Sequence, residues 1–173
     1  KKRLRDIVSR GGRVVTIDPR RTETAEIATD HVFIKPGADA YFLLSVCQVL
    51  FAEGLVRPGR LADFTDGIDR VRELAARYSP ERVAAATGIA PETTRRLVRD
   101  FCAAKGAWYG RIGLCTQEFG TLASWLVYVV NVLTGRLDFP AERAYHFGWV
   151  NRLCEEGEAL ALAKAFAEEI TVN

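Results

Sequence analysis

The sequence predicts an α/β protein, and three observations carry this. Two short β-branched runs at residues 13–18 and 31–35 stand either side of one short helical stretch, bounded by Gly and Pro. Long segments with apolar residues three and four apart follow, most of them stopped by a glycine. A third strand-like run, 107–114, returns after those helices. Strand, helix, strand in this order implies parallel neighbours. A crossover this short leaves an irregular turn as the alternative link.

The elements follow in order. Residues 1–10 place Leu4, Ile7 and Val8 on one face and end at Gly11-Gly12, the close of an amphipathic helix. Residues 13–18 (RVVTID) form the first expected strand, 22–28 a short helix and 31–35 (HVFIK) the second strand, ended by Pro36-Gly37. Residues 39–53 carry a broad apolar face through Leu43, Leu44, Cys47, Val49, Leu50 and Phe51, with Asp39 as the expected N-cap and Gly54 as the stop. Residues 66–78 are amphipathic through Ile68, Val71, Leu74 and Ala75. Ser79-Pro80 supplies an N-cap and a first-turn proline to a helix over 81–87, closed by Gly88. Helix 92–104 turns Leu97, Val98, Phe101 and Cys102 inward. The strand at 107–114 (AWYGRIGL) comes next, then an apolar helix over 121–134 stopped by Gly135. Residues 136–154 show no clean period, and 155–170 form a last helix rich in Ala and Glu.

Composition bounds the function. The chain has 173 residues, 49% apolar and 27% charged, which excludes collagen-like, low-complexity and disulfide-dense classes. The net charge of +2 names no partner. Cys47, Cys102, Cys115 and Cys154 lie far apart without a CxxC pair, so neither a zinc ribbon nor an iron–sulfur signature is present. His31 and His146 have no Cys or Asp at ligand spacing, and His31 is read as structural. No secretory h-region opens the chain, and the longest apolar stretch, 123–133, is too short to span a bilayer. Methionine is absent, which suggests a piece of a longer protein.

Two loops carry the candidate chemistry. Open parallel sheets bind ligands beyond the carboxyl ends of their strands. Asp18 stands at that place on the first strand, where a carboxylate accepts hydrogen bonds from a ribose diol, with Arg20 and Arg21 close enough for a phosphate. Asp before Pro is equally a turn starter. After the second strand comes Pro36-Gly37-Ala38-Asp39. Gly37 allows close backbone approach, and Asp39 either caps the following helix or accepts from two adjacent donors, as on the Watson–Crick edge of guanine.

Together these motifs resemble the molybdopterin-guanine-dinucleotide oxidoreductases, the superfamily of dimethyl sulfoxide reductase, formate dehydrogenase and nitrate reductase. The stretch GGRVVTIDPRRTETAEIATDHVFIKPGADAYFLL is similar to the family's strand, Asp-Pro-Arg loop, second strand, Pro-Gly-Thr-Asp and Ala/Leu helix. Tyr78-Ser79-Pro80-Glu81, Thr87-Gly88-Ile89, Tyr109-Gly110-Arg111-Ile112-Gly113 and the segment from Asn131 through Thr134-Gly135 to Leu137-Asp138 agree in order. The resemblance covers about residues 1–140. It implies a Rossmann-like parallel sheet flanked by helices, with a mostly helical insertion. The chain is then one domain fragment: 1–60 and 105–140 form the α/β cofactor-binding part, 61–104 the helical part, and 141–173 a C-terminal segment without an assigned place.

Carried over, the cofactor contacts fall on Asp18, Pro19, Arg20, Arg21 and Thr22 for ribose and phosphates, and on Gly37, Ala38 and Asp39 for the guanine end. Ile112 and Gly113 follow the third strand, and Thr116 and Gln117 compete for the place of a family Gln. Ala38 departs from the usual Thr or Ser, and Phe139-Pro140-Ala141-Glu142-Arg143 stands where a Gly-rich loop is usual. The resemblance implies molybdopterin guanine dinucleotide with Mo or W. No metal ligand or catalytic residue falls within this chain, and any iron–sulfur cluster would lie elsewhere in the parent. Expected partners are the other domains of the same catalytic subunit and an electron-transfer subunit, with neither nucleic acid nor membrane insertion. The expected compartment is cytoplasmic, with periplasmic as the alternative.

A rival reading exists. Residues 80–97 also fit a helix-turn-helix, with Gly88 in the turn, Ala84, Ile89 and Leu97 in core positions, and Thr93, Arg95, Arg96 and Arg99 presented to DNA. Thr94 sits where an apolar core residue is expected, and the small net charge attracts a DNA backbone little. A cofactor-free structural relative is the third reading.

Overall fold

The β-branched runs do pair. In the computed structural model, which describes residues 2–137, 152–155 and 157–171, β1 (Val15–Ile17) lies parallel to β2 (Asp30–Val32). Val15 faces Asp30, Thr16 faces His31 and Ile17 faces Val32. The crossover is helical rather than irregular. It holds α2 (Glu23–Ile27), whose N-cap Thr22 accepts from the Ala25 N–H at 3.4 Å. Around this small sheet the chain is mostly helical. The first helix is α1 (Lys2–Ser9). After the sheet come α3 (Asp39–Ala52), a 3-10 turn (Gly59–Phe64), α4 (Ile68–Ala75), α5 (Pro80–Thr87), α6 (Pro91–Ala103), α7 (Ile112–Cys115) and α8 (Gly120–Leu133). The chain divides into two compact units, Lys1–Leu137 and Asp138–Asn173. The second contains α9 (Ala159–Thr171), where Arg152 pairs with Glu169 and lies over the Phe166 ring at 4.3 Å.

The core is built on α3. A helix apolar on all sides must be covered on all sides, and α3 packs against α4, α5, α6 and α8. Val46, Cys47 and Leu50 are fully buried. Burial pushes the Cys47 thiol up to about 12, so it behaves as a small apolar side chain. Its polar neighbours are satisfied locally. Ser45 Oγ donates to Phe42 O at 2.7 Å, and Thr87 Oγ1 donates to Val83 O while accepting from the Ile89 N–H at 3.1 Å. The sheet is tied to this body where β2 ends, because Lys35 donates its backbone N–H to Thr87 O and its Nζ to Ala85 O, capping α5.

Three expectations are corrected. Residues 107–114 form no strand: 107–111 lack regular structure and α7 begins at Ile112. The reason lies in α8, where the Asn131 amide accepts from Trp108 N at 3.0 Å and donates to Trp108 O at 2.9 Å. One side chain thus takes both bonds that a neighbouring strand would supply. Asp39 is not the N-cap of α3. Ala38 occupies that position without a side-chain bond, and Asp39 is the first helical residue, its carboxylate directed elsewhere. The last helix begins at Ala159 rather than 155, since Gly157 at φ +88 breaks the helical path before it.

Candidate functional site

The parallel pairing puts the ends of β1 and β2 on one edge, so both predicted loops leave the sheet on the same side. Asp18 continues the ladder by one bond, its N–H donating to Val32 O at 3.1 Å. The chain then turns. Asp18 Oδ1 accepts from the Arg20 N–H at 2.8 Å, which is the turn-forming role, and Oδ2 has no partner among the described residues. His31 Nε2 lies 3.1 Å from Asp18 O and anchors the turn from the neighbouring strand. Pro19, Arg20 and Arg21 are exposed, and Thr22 is spent on capping α2. Arg20, Arg21 and Thr22 line an open cleft of about 430 Å³ that also contains Glu23, Thr24 and Glu26. The two carboxylates there oppose the two guanidinium groups, so its charge is mixed.

The second loop is held differently. Gly37 has φ +78, and a Cβ there would meet nothing within 4 Å, so the surface beside it is open. Next to it, Asp39 Oδ2 accepts from Gln117 Nε2 at 2.9 Å. This bond joins positions 78 residues apart. Gln117 Nε2 also lies 3.1 Å from Leu114 O and 3.4 Å from Gly113 O, whereas its Oε1 is buried without a partner. Of the two competing positions, Gln117 reaches the second loop. Thr116 is exposed and closes α7, its N–H donating to Ile112 O at 3.1 Å. Ile112 and Gly113 stand exposed on α7. No hydrogen bond links the Asp18–Thr22 turn to Asp39 or Gln117 among the described residues.

These donors and acceptors suit a nucleotide. A carboxylate with one oxygen still open accepts from a donor edge, an unpaired amide oxygen needs a donor, and two exposed guanidinium groups suit phosphate. The described residues contain no cluster of His, Cys, Asp and Glu able to hold a metal ion, and no helix among them is long and apolar enough to cross a membrane.

The helix-turn-helix face is otherwise engaged. Arg95 pairs with Glu81 at 2.6 Å, and Arg99 pairs with Glu53 at 2.8 Å and Glu92 at 3.4 Å. Carboxylates already meet the groups that DNA phosphates would need. Thr94 is buried, as its core position requires.

Sequence reasoning missed the rings beside Asp39. Tyr41 lies 6.2 Å from Tyr78 and 6.3 Å from Phe119 between ring centroids. Their separation in sequence hides the cluster. The one local signal is an aromatic at position 41, two residues after a candidate binding carboxylate.

No family model matches the chain. Individual proteins do. Formate dehydrogenase H of Escherichia coli is 32% identical over 133 residues, 75% of this chain and 18% of its own length. Periplasmic nitrate reductase of Desulfovibrio desulfuricans is 26% identical, over 93% of this chain and 24% of its own. Among solved structures, acetylene hydratase from Pelobacter acetylenicus superposes with a TM-score of 0.73 at 23% identity, over 79% of this chain and 19% of its own, a likeness of fold. The chain spans about a fifth of the length of these relatives. It is homologous to a segment of the molybdopterin oxidoreductase superfamily, and its homologues are oxidoreductases.

Proposed function

We propose that this chain is the part of a molybdopterin-dependent oxidoreductase that holds the guanine dinucleotide end of the cofactor, within a Rossmann-like domain of a larger catalytic subunit. The observation that carries the reading is the Asp39–Gln117 contact. It brings the second and third predicted loops together around a carboxylate with one open oxygen. The names of the relatives, formate dehydrogenase and nitrate reductase, support the enzyme class.

In this reading each group has a task. Asp18 accepts from ribose hydroxyls through Oδ2 while Oδ1 holds its own turn. Pro19 fixes that turn, and Arg20, Arg21 and Thr22 face the phosphates. Gly37 and Ala38 let the nucleotide approach the backbone. Asp39 accepts from the N1–H and exocyclic amine of guanine, for which Gln117 shares or releases Oδ2. Ile112, Gly113 and Thr116 border the same site from α7. When bound, the cofactor supplies two-electron redox chemistry at molybdenum or tungsten, of the formate dehydrogenase, nitrate reductase or sulfoxide reductase kind. The metal ligand and any iron–sulfur cluster belong to the rest of the subunit, which with an electron-transfer subunit makes up the partners.

The test is made in the intact enzyme. Asp39→Ala and Asp18→Ala should each lower the molybdenum and guanine retained after purification, by about tenfold if a charged hydrogen bond of roughly 1.5–3 kcal/mol is lost. Undiminished metal and guanine in both variants would overturn the assignment.

A further inference from the structure

The geometry points to Tyr41, flanked by Tyr78 and Phe119, as a stacking platform for the purine ring whose edge meets Asp39. This rests on the nucleotide reading and extends it from the base's edge to its face. The three rings come from three places in the chain: α3, the segment after α4, and the residue that begins α8. Tyr41 touches both others, at 6.2 Å with a 46° tilt to Tyr78 and at 6.3 Å with a 78° edge-on angle to Phe119. Tyr41 is two residues from Asp39 and Phe119 is two from Gln117, the pair already bonded. The aromatic row and the polar pair therefore occupy one junction.

Burial separates this row from the core. Ala40, Phe42 and Leu43 are 3%, 2% and 2% exposed, whereas Tyr41 and Phe119 keep 37% and 41% of their surface in water. Rings held by one another yet left open on a side present a flat apolar surface of fixed orientation. A nucleobase offers a π-face and a hydrogen-bonding edge. The row suits the face. The edge meets Asp39, and the partnerless Gln117 Oε1 is a second acceptor in the same place. Two acceptors select a base with two adjacent donors. Guanine has N1–H and its exocyclic amine there, whereas adenine sets an acceptor, N1, beside its amine. The occupant is therefore a guanine nucleotide.

The experiment titrates the chain with guanosine diphosphate and, separately, adenosine diphosphate by calorimetry. Wild type should prefer the guanine nucleotide, and Asp39→Asn should erase the preference. Tyr41→Leu, which keeps an apolar side chain but no ring, should weaken guanosine diphosphate about 5- to 150-fold, and Tyr41→Phe should retain it. Tyr41 is exposed on a helix, so circular dichroism should be unchanged in each variant. If Tyr41→Leu and Phe119→Leu bind as wild type while Asp39→Asn is weakened, the platform is wrong and the nucleotide reading stands. That outcome would assign the rings to a protein surface instead. If wild type binds neither nucleotide, both fall together.

Discussion

Asn131 holds more of this fold than its single side chain suggests. It is 3% exposed and satisfies three backbone groups: it accepts from Trp108 N and donates to Trp108 O and Val127 O. Replacing it with Leu preserves bulk and strands the Trp108 amide and carbonyl. Each unsatisfied buried group costs about 1–3 kcal/mol, so Asn131→Leu should lose roughly 2–4 kcal/mol. A shift of the urea midpoint with an unchanged slope would measure it. A loss below about 1 kcal/mol would mean that water replaces the amide. The same residue explains why part of the site was illegible. Runs such as AWYGRIGL read as strands because β propensity reports side-chain fit and burial, not the identity of the hydrogen-bonding partner. The partner here is an amide 23 residues away.

At the scale of elements, most helices were legible because their signals are local. Ser79 at the N-cap, Pro80 at the first position and Gly88 at φ +75 all stand where the spacing put them. Residues common to the resemblance turn out to serve packing as well as binding. Thr134 Oγ1 returns to Val130 O at 2.7 Å, and Gly135 ends α8 at φ +67. A Cβ on Gly135 would sit 2.8 Å from Arg57 O, in the stretch whose Arg57 N–H donates to Leu133 O at 2.7 Å. Gly135→Ala therefore combines a left-handed backbone with a backbone clash. About 2 kcal/mol or more of stability should be lost, seen as a lower melting temperature, while Gly54→Ala, equally left-handed but in open space, should lose less. Equal losses would show that the clash is relieved by movement of the 57–58 turn. Asp39 was read as a cap because the motif places it before an apolar helix. Its actual partner, Gln117, depends on the path of α7, which no local pattern announces.

The first unit as a whole depends on ties between its sheet and its helices, and Arg13 is the longest in sequence. It precedes β1, and it meets Asp30 on β2 at 2.8 Å and Asp100 on α6 at 2.5 Å. The Arg13 hydrogen bond holds the Asp30 carboxyl below the usual carboxylate range. The direction of its pH dependence follows. Between the native and unfolded values the unfolded chain binds the proton more readily, so this contribution is present at neutral pH and lost as pH falls through the native value. Side-chain exposure of 40% for Arg13 and 35% for Asp30 limits each pair to less than about 1 kcal/mol. For a chain of this length that corresponds to about 2–4 °C per kcal/mol. Arg13→Gln should thus lower the melting temperature at pH 7 by a few degrees at most, the gap narrowing in roughly 1 M salt as screening shortens. At about pH 2, where ordinary carboxylates are protonated, wild type and variant should melt together. A gap that survives acid and salt alike would assign the role of Arg13 to the packing of its aliphatic stem. The sheet edge that presents Asp18 and Asp39 would then be fastened to α6 by apolar contact rather than by charge.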